Sequence, residues 1–133
     1  MKVLIADGDW RFAAQVTNHL ESHAHLVIHQ AQKNEITNRA QHWQCDLVLL
    51  SAELANKGVL EELQALPHRP AILLTGWMHR YDQAWRAWQK GGDELLMKPV
   101  FHVREVHEAI VAALENRTAG RRRRVETASP ASA

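Results

Sequence analysis

The chain has 133 residues, of which 46% are hydrophobic and 23% charged, enough apolar material for the core of one soluble domain. Its longest apolar runs, such as residues 47–50, are too short to cross a bilayer. The apolar stretch at the start of the chain is interrupted by Asp7 and Asp9. We therefore expect neither a membrane span nor a signal peptide. Cys45 is the only cysteine, which excludes an internal disulfide and fits a cytoplasmic location.

Charge is distributed unevenly along the chain. Residues 117–133 contain five arginines and one acid, which leaves 11 basic and 14 acidic residues in residues 1–116. A mildly acidic body argues against nucleic-acid binding by the folded part. The last 17 positions, 117–133, also lack a periodic apolar pattern and are rich in Arg, Ala and Ser. We therefore predict a domain over residues 1–116 and a disordered tail or linker over residues 117–133.

The first half of the chain predicts three strands and two helices. Residues 3–6 form an apolar strand, and Asp9 is the expected N-cap of a helix whose apolar residues recur every four positions: Phe12, Val16 and Leu20. Residues 25–29 alternate in polarity and predict a more exposed strand. Asn34 is expected to cap a second helix, with an apolar face of Ile36, Ala40 and Trp43. Residues 47–50 are apolar throughout, which is typical of a strand covered on both faces.

The second half continues the alternation. A third helix presents Val59 or Leu60, Leu63 and Leu66, and prolines follow it. Residues 71–74 predict a fourth strand, and Trp77 is expected in an exposed loop after it. The fourth helix carries Tyr81, Trp85 and Trp88, of which the tryptophans are expected to face the core or an interface, and two glycines close it. A weak fifth strand at residues 95–97 precedes a last helix presenting Val103, Val106, Ile110 and Ala113 or Leu114, whose periodicity stops after Asn116.

Strands that alternate with helices of this length predict βαβ units and a parallel sheet. The second and fifth strands are the least apolar and suit the sheet edges, which gives a flavodoxin-like (βα)5 three-layer sandwich with strand order 2-1-3-4-5. Ligands of such α/β folds bind beyond the carboxyl ends of the strands. The residues at those positions are Asp7, Gly8, Asp9, Ser51, Thr75 and Lys98.

These residues resemble the site of response-regulator receiver domains, the signalling modules of bacterial two-component systems, over roughly residues 1–116. Asp7 matches the first of two adjacent acids in that family, Thr75 its switch hydroxyl, and Lys98-Pro99 its Lys-Pro pair, which is commonly cis. Two positions depart from the pattern: Gly8 replaces the acid that binds Mg²⁺ directly, and Ser51 replaces the phosphoacceptor aspartate. Leu95 is the nearest match to the family's aromatic switch residue.

The departures predict that no phosphorelay step takes place. Phosphorylation of a receiver requires a carboxylate nucleophile, Mg²⁺ and a lysine that holds the product. With Gly8 and Ser51 in place, we expect no phosphoacceptor, no catalytic residue, no metal ligand and weak or absent Mg²⁺ binding. Lys98 is instead predicted to pair with Asp7 or with Glu53, which lies two residues past Ser51. Such an ion pair would lock the site without a phosphoryl group.

The resemblance therefore implies a pseudo-receiver that is not an enzyme. It would act through phosphorylation-independent contact with a protein partner or a downstream output domain, or through homodimerisation. Tyr81, Trp88 and Leu95 are the interface candidates. One alternative is a receiver that is still phosphorylated or metal-bound through Asp7, Asp9 or Glu53. The other is a nucleic-acid-associated regulator that uses the arginines of residues 117–133.

Several of these residues can also be explained by a structural role alone. Asp9 can serve only as a helix cap, and Ser51 can simply fill a strand end. His19 and His23 lie four residues apart on the first helix, a spacing that can bind a metal ion. The sequence offers no third ligand beside them, so a solvated helix face is the favoured interpretation of the two histidines.

Overall fold

The computed structural model describes the backbone of residues 1–127 and the side chains of residues 1–119. Five strands form one sheet: β1 (Lys2–Ala6), β2 (Leu26–His29), β3 (Leu47–Ser51), β4 (Ala71–Trp77) and β5 (Glu94–Lys98). All neighbouring strands are parallel, and their order is β2-β1-β3-β4-β5. The predicted flavodoxin-like topology is confirmed, with the two least apolar strands at the edges.

Five helices cover the sheet: α1 (Trp10–Ser22), α2 (Ile36–Trp43), α3 (Lys57–Gln64), α4 (Tyr81–Lys90) and α5 (Val103–Thr127). Short 3-10 turns at Lys33–Glu35 and Met78–Arg80 lead into α2 and α4. Helices α1 and α5 pack on one face of the sheet, and α2, α3 and α4 pack on the other. None of the helices in the described residues is both long and apolar enough to span a membrane.

Side-chain alternation along the strands builds two core layers. In β1, Val3 and Ile5 face α1 and α5, while Leu4 and Ala6 face the other three helices. β3 and β4 divide their side chains in the same way, which is why these three strands are apolar at nearly every position. The predicted apolar face of α1 is buried as expected, at Phe12, Val16 and Leu20.

The predicted cap of the second helix is wrong. α2 begins at Ile36, and Glu35 occupies the N-cap position without a side-chain hydrogen bond. Asn34 lies inside the preceding 3-10 turn, where Glu35 N donates to Gln32 O at 2.9 Å. The turn therefore leads directly into the helix. A cap that the sequence analysis did not identify is Asn56, whose Oδ1 accepts from Val59 N at 2.8 Å at the start of α3.

The two tryptophans of α4 are placed differently: Trp88 is half-buried against the core, one of the two expected placements, whereas Trp85 faces outward and its interface role stays a prediction. Ala84 and Ala87 are the buried residues of α4, whereas Tyr81 and Trp85 are 53% and 45% exposed. The reason is a close approach of the helix to β4: a Cβ added at Gly76 would lie 2.7 Å from Ala84 Cβ. Only small side chains fit between these two elements, so the rings of Tyr81 and Trp85 turn outward.

α5 continues past the predicted end at Asn116 and runs to Thr127. The side chains of Asn116 and Arg117 hydrogen-bond to backbone carbonyls just before three strands, those of Asp46, Arg69 and Asp93. These contacts hold α5 against the amino-terminal edge of the sheet. Asn116 is the last residue of the predicted domain and Arg117 the first residue of the predicted tail, so both sides of that boundary contact the sheet. The division into a domain over 1–116 and a tail over 117–133 stays a prediction, and residues 128–133 lie outside the described part.

Candidate functional site

The carboxyl ends of the central strands bring three predicted site residues into contact. Thr75 Oγ1 donates to Asp7 Oδ2 at 2.8 Å, and Lys98 Nζ donates to the same oxygen at 3.0 Å. Asp7 and Lys98 are each only 2% exposed, and Thr75 is fully buried. The predicted ion pair between Lys98 and Asp7 is therefore confirmed as a buried pair. The Lys98-Pro99 peptide bond is cis, as the resemblance implied.

Asp9 contributes both to the Asp7–Lys98 site and to the start of α1. Its backbone N–H donates to Asp7 Oδ1 at 2.9 Å, so both oxygens of the Asp7 carboxylate accept hydrogen bonds. Asp9 Oδ1 accepts from Phe12 N at 3.2 Å, which confirms its role as N-cap of α1. Its other oxygen lies 3.5 Å from Lys98 Nζ. One ammonium is thus shared between two carboxylates, and the cluster has a formal charge of −1.

Ser51 lies beside this cluster at the end of β3, paired in register with Thr75. It is buried, and its Oγ accepts a long hydrogen bond of 3.3 Å from Glu53 N. The Ser51 hydroxyl therefore contributes to the turn after β3. Glu53 itself is exposed, and among the described residues no ion pair joins it to Lys98. Of the two predicted partners of Lys98, the structure selects Asp7.

The sequence analysis missed two aromatic neighbours of Lys98. Its Nζ lies 4.8 Å from the ring centroid of Trp77 and 4.9 Å from that of Phe12, distances at which cation–π attraction is effective. Trp77 was expected in an exposed loop, but it is the half-buried last residue of β4. That expectation is wrong because β4 extends three residues beyond the predicted strand. The longer strand places Trp77 opposite Lys98 in the β4–β5 register.

A third missed contact comes from the edge strand. His29 is the last residue of β2, and its Nε2 lies 2.8 Å from the backbone oxygen of Asp7. A carbonyl oxygen only accepts hydrogen bonds, so this ring nitrogen carries the hydrogen. The sequence did contain a signal for this contact. His29 lies at the carboxyl end of the predicted strand next to β1, and the carboxyl ends of parallel strands all lie at one edge of the sheet.

The interface candidates lie on α4 and β5, to one side of the ion pair. Tyr81 is exposed and its ring stacks on that of Trp85, with the centroids 6.3 Å apart. Trp88 and Leu95 are half-buried and pack against the core layer beneath α2, α3 and α4. These positions leave the proposed interface role untested.

The residues present do not fit the Mg²⁺ ion that the receiver resemblance implies. Mg²⁺ requires nearly octahedral oxygen ligation and usually one or two carboxylates from the protein. Gly8 offers no side-chain ligand, and both oxygens of Asp7 already accept hydrogen bonds. No group of three His, Cys, Asp or Glu side chains within the described residues is arranged to hold a metal ion.

No protein-family model matches the sequence, and no curated protein matches it. Solved structures, in contrast, match over most of the chain. The receiver domain of a modulated diguanylate cyclase from Desulfovibrio desulfuricans G20 superposes with a TM-score of 0.72 at 21% identity, covering 90% of this chain and 97% of that one. A CheY-like receiver domain protein from Methanospirillum hungatei JF-1 gives 0.72 at 21% identity, with 89% and 97% covered.

NtrX from Brucella abortus gives a TM-score of 0.74 at 15% identity, and the match covers 95% of this chain but only 29% of NtrX. The structural neighbours are thus response-regulator receiver domains, either isolated or as one part of a longer protein. The chain has the fold of these domains. At this level of identity the likeness concerns the fold, and the chemistry of the site has to be argued from its own residues.

Proposed function

We propose that the chain is a degenerate receiver domain that works in two-component-type signalling as a binding module, without phosphoryl transfer and without enzymatic activity. The observation that carries this proposal is the shared hydrogen-bonding of Asp7 Oδ2 with Lys98 and Thr75. In receivers the matching lysine holds the phosphorylated product and the matching hydroxyl acts as the switch. Here an internal carboxylate already engages both groups.

The nucleophile position supports the same proposal. A serine hydroxyl has a high pKa and attacks phosphorus poorly unless a base activates it. Within the described part of the chain, Ser51 Oγ hydrogen-bonds with the backbone N–H of Glu53 and not with a carboxylate. Phosphorylation of Ser51 would in any case form a stable ester in place of the labile acyl phosphate of receivers.

Partner binding would use the aromatic surface of α4. Tyr81 and Trp85 are 53% and 45% exposed, and Met78, in the 3-10 turn just before the helix, is 59% exposed, although each is a large apolar side chain. Exposed apolar groups gathered on one surface are typical of protein contacts. We propose a protein partner, an output domain or a second copy of the chain as the ligand of this surface, and a cytoplasmic location in agreement with the single reduced cysteine.

Incubation with a small phosphodonor and Mg²⁺, followed by intact-mass measurement, tests the absence of phosphoryl transfer. We expect no mass increase for the natural sequence. The double variant Gly8→Asp/Ser51→Asp should gain a Mg²⁺-dependent phosphoryl group, because it restores both missing carboxylates. The first change is sterically allowed, since a Cβ built at Gly8 meets no atom within 4 Å.

Gly8→Asn/Ser51→Asn is the matched control, since it adds side chains of the same shape without carboxylates and should remain unmodified. Labelling of the natural sequence would contradict the proposal. The acid-lability of the label would then distinguish an acyl phosphate on Asp7, Asp9 or Glu53 from a phosphoserine at Ser51.

A further inference from the structure

Histidines from distant parts of the chain gather between α1 and α5. Two adjoining cavities of about 700 and 290 Å³ lie there, and both are lined by His19, His23 and His107. The first two come from the end of α1 and the third from the first turns of α5. The proposed receiver function makes no use of them.

The rings of His19 and His23 already form a pair, with centroids 4.5 Å apart. His23 Nδ1 lies 2.9 Å from the backbone oxygen of His19 and 3.1 Å from Ser22 Oγ. The carbonyl only accepts, and Ser22 Oγ donates its own hydrogen to His19 O at 2.6 Å. His23 Nδ1 therefore carries the hydrogen, which leaves the lone pair on Nε2.

That arrangement is typical of histidines that bind metal ions, in which one ring nitrogen donates to a backbone carbonyl and the other coordinates the ion. His25 is engaged elsewhere, because its Nδ1 hydrogen-bonds the amino group of Met1 at 3.2 Å.

We propose that His19 and His23 chelate a transition-metal ion of the class that prefers imidazole, namely Zn²⁺, Ni²⁺ or Cu²⁺, with His107 as a third ligand from α5. Metal–imidazole bonds of about 2.0–2.1 Å would allow the two adjacent rings to share one ion. Three ligands do not yet converge within the described residues. His107 is exposed and lines the same two cavities, so a rotation of its side chain would bring it to the pair.

An ion bound in this way would cross-link two helices that are far apart in the chain. Because it binds the folded state only, it would raise the melting temperature as its concentration increases. Mg²⁺ would not replace it, since Mg²⁺ prefers oxygen ligands. The site is thus distinct from the Mg²⁺ site of active receivers in place, ligand type and ion.

Isothermal titration of the untagged full chain with Zn²⁺ tests the proposal, with Mg²⁺ as the comparison ion. We expect saturable binding of one Zn²⁺ and a rise in melting temperature. His23→Ala should weaken binding about 10-fold or more, since even changes around the ligands of a metal cost that much. His107→Ala should weaken binding too and should reduce the rise in melting temperature.

His42→Ala is the matched control. His42 Nδ1 makes the same kind of bond, 2.8 Å from Asn38 O one turn earlier, but residue 38 is not a histidine. This variant should bind Zn²⁺ like the natural sequence. Zn²⁺ binding that survives both His19→Ala and His23→Ala, or that only His25→Ala removes, would overturn the proposal. Circular dichroism of each metal-free variant confirms that these changes leave the fold intact.

Discussion

At the scale of single residues, the buried pair of Asp7 and Lys98 organises the site. Both charges are almost fully removed from water, and desolvation of that kind is costly unless partners compensate for it. Here Thr75, the backbone of Asp9, the Asp9 carboxylate and two aromatic rings surround the pair. The two buried charges are thereby compensated by groups of the chain itself.

Loss of one partner of this pair should destabilise the fold. We expect Lys98→Met to lower the free energy of unfolding by about 3 kcal/mol, because it leaves the Asp7 carboxylate buried without its cation. Urea unfolding followed by tryptophan fluorescence measures the change. The double variant Asp7→Asn/Lys98→Met removes both charges and should lose less stability than Lys98→Met alone. Equal stability of Lys98→Met and the natural sequence would show that the pair does not hold the site together.

At the scale of elements, close approaches to the sheet decide how α4 is placed. The helix ends at Lys90, its C-cap Gly91 donates its N–H to Trp88 O at 3.2 Å, and Gly92 follows with a φ of +110°. A Cβ at Gly92 would lie 2.8 Å from Leu74 Cδ1. The two glycines therefore allow the chain to leave α4 and enter β5 directly over the core.

Gly92→Ala should consequently lower the free energy of unfolding by about 1–3 kcal/mol, the usual cost of an unfavourable backbone conformation. Gly8→Ala is the matched control, since a Cβ there meets nothing within 4 Å and should change stability little. Chemical denaturation of the two variants side by side gives the comparison. If both glycines tolerated alanine equally, the tight passage between α4 and β5 would not be a determinant of the fold.

At the scale of the whole molecule, a buried polar cluster closes the amino-terminal edge of the sheet opposite the site. Asp93 Oδ1 accepts from Arg69 Nη2 at 3.2 Å, and its Oδ2 accepts from Ile72 N at 2.8 Å. Asn116 of α5 donates to the Asp93 backbone oxygen. The cluster joins the start of β4, the start of β5 and the last helix, and so connects both layers of the sandwich.

Asp93→Ala should destabilise the fold more than Arg69→Met. The first change leaves a buried guanidinium, two of whose nitrogens already have no hydrogen-bond partner within the described residues, and we expect it to cost about 3 kcal/mol. The second leaves the Asp93 carboxylate without its cation, but that carboxylate keeps the hydrogen bond from Ile72 N and most of the side-chain volume is retained, so we expect a smaller cost. Differential scanning calorimetry of the two variants would show the order of melting temperatures, and a reversed order would contradict this assignment.

The architecture and the central contact of the site follow from the sequence pattern. Parallel strands end at one edge of the sheet, so a strand ending at Asp7 and another at Lys98 predict an ion pair once the strand order is set. The contact between Trp77 and Lys98 depended on three further residues of β4, and strand ends are the least regular part of such patterns. The outward face of α4 depended on how closely Ala84 approaches Gly76, a distance that periodicity does not express.

We propose that the site is complete without a phosphoryl group. Titration of the ¹⁵N-labelled chain with Mg²⁺ and then with beryllium fluoride, which mimics that group, tests this proposal by amide-proton NMR. We expect no saturable shifts at Asp7, Ser51 and Lys98 at millimolar Mg²⁺, with or without beryllium fluoride. Saturable shifts at these residues that spread to Thr75 and Leu95 would contradict it, since they would mean that the site still binds the mimic and switches.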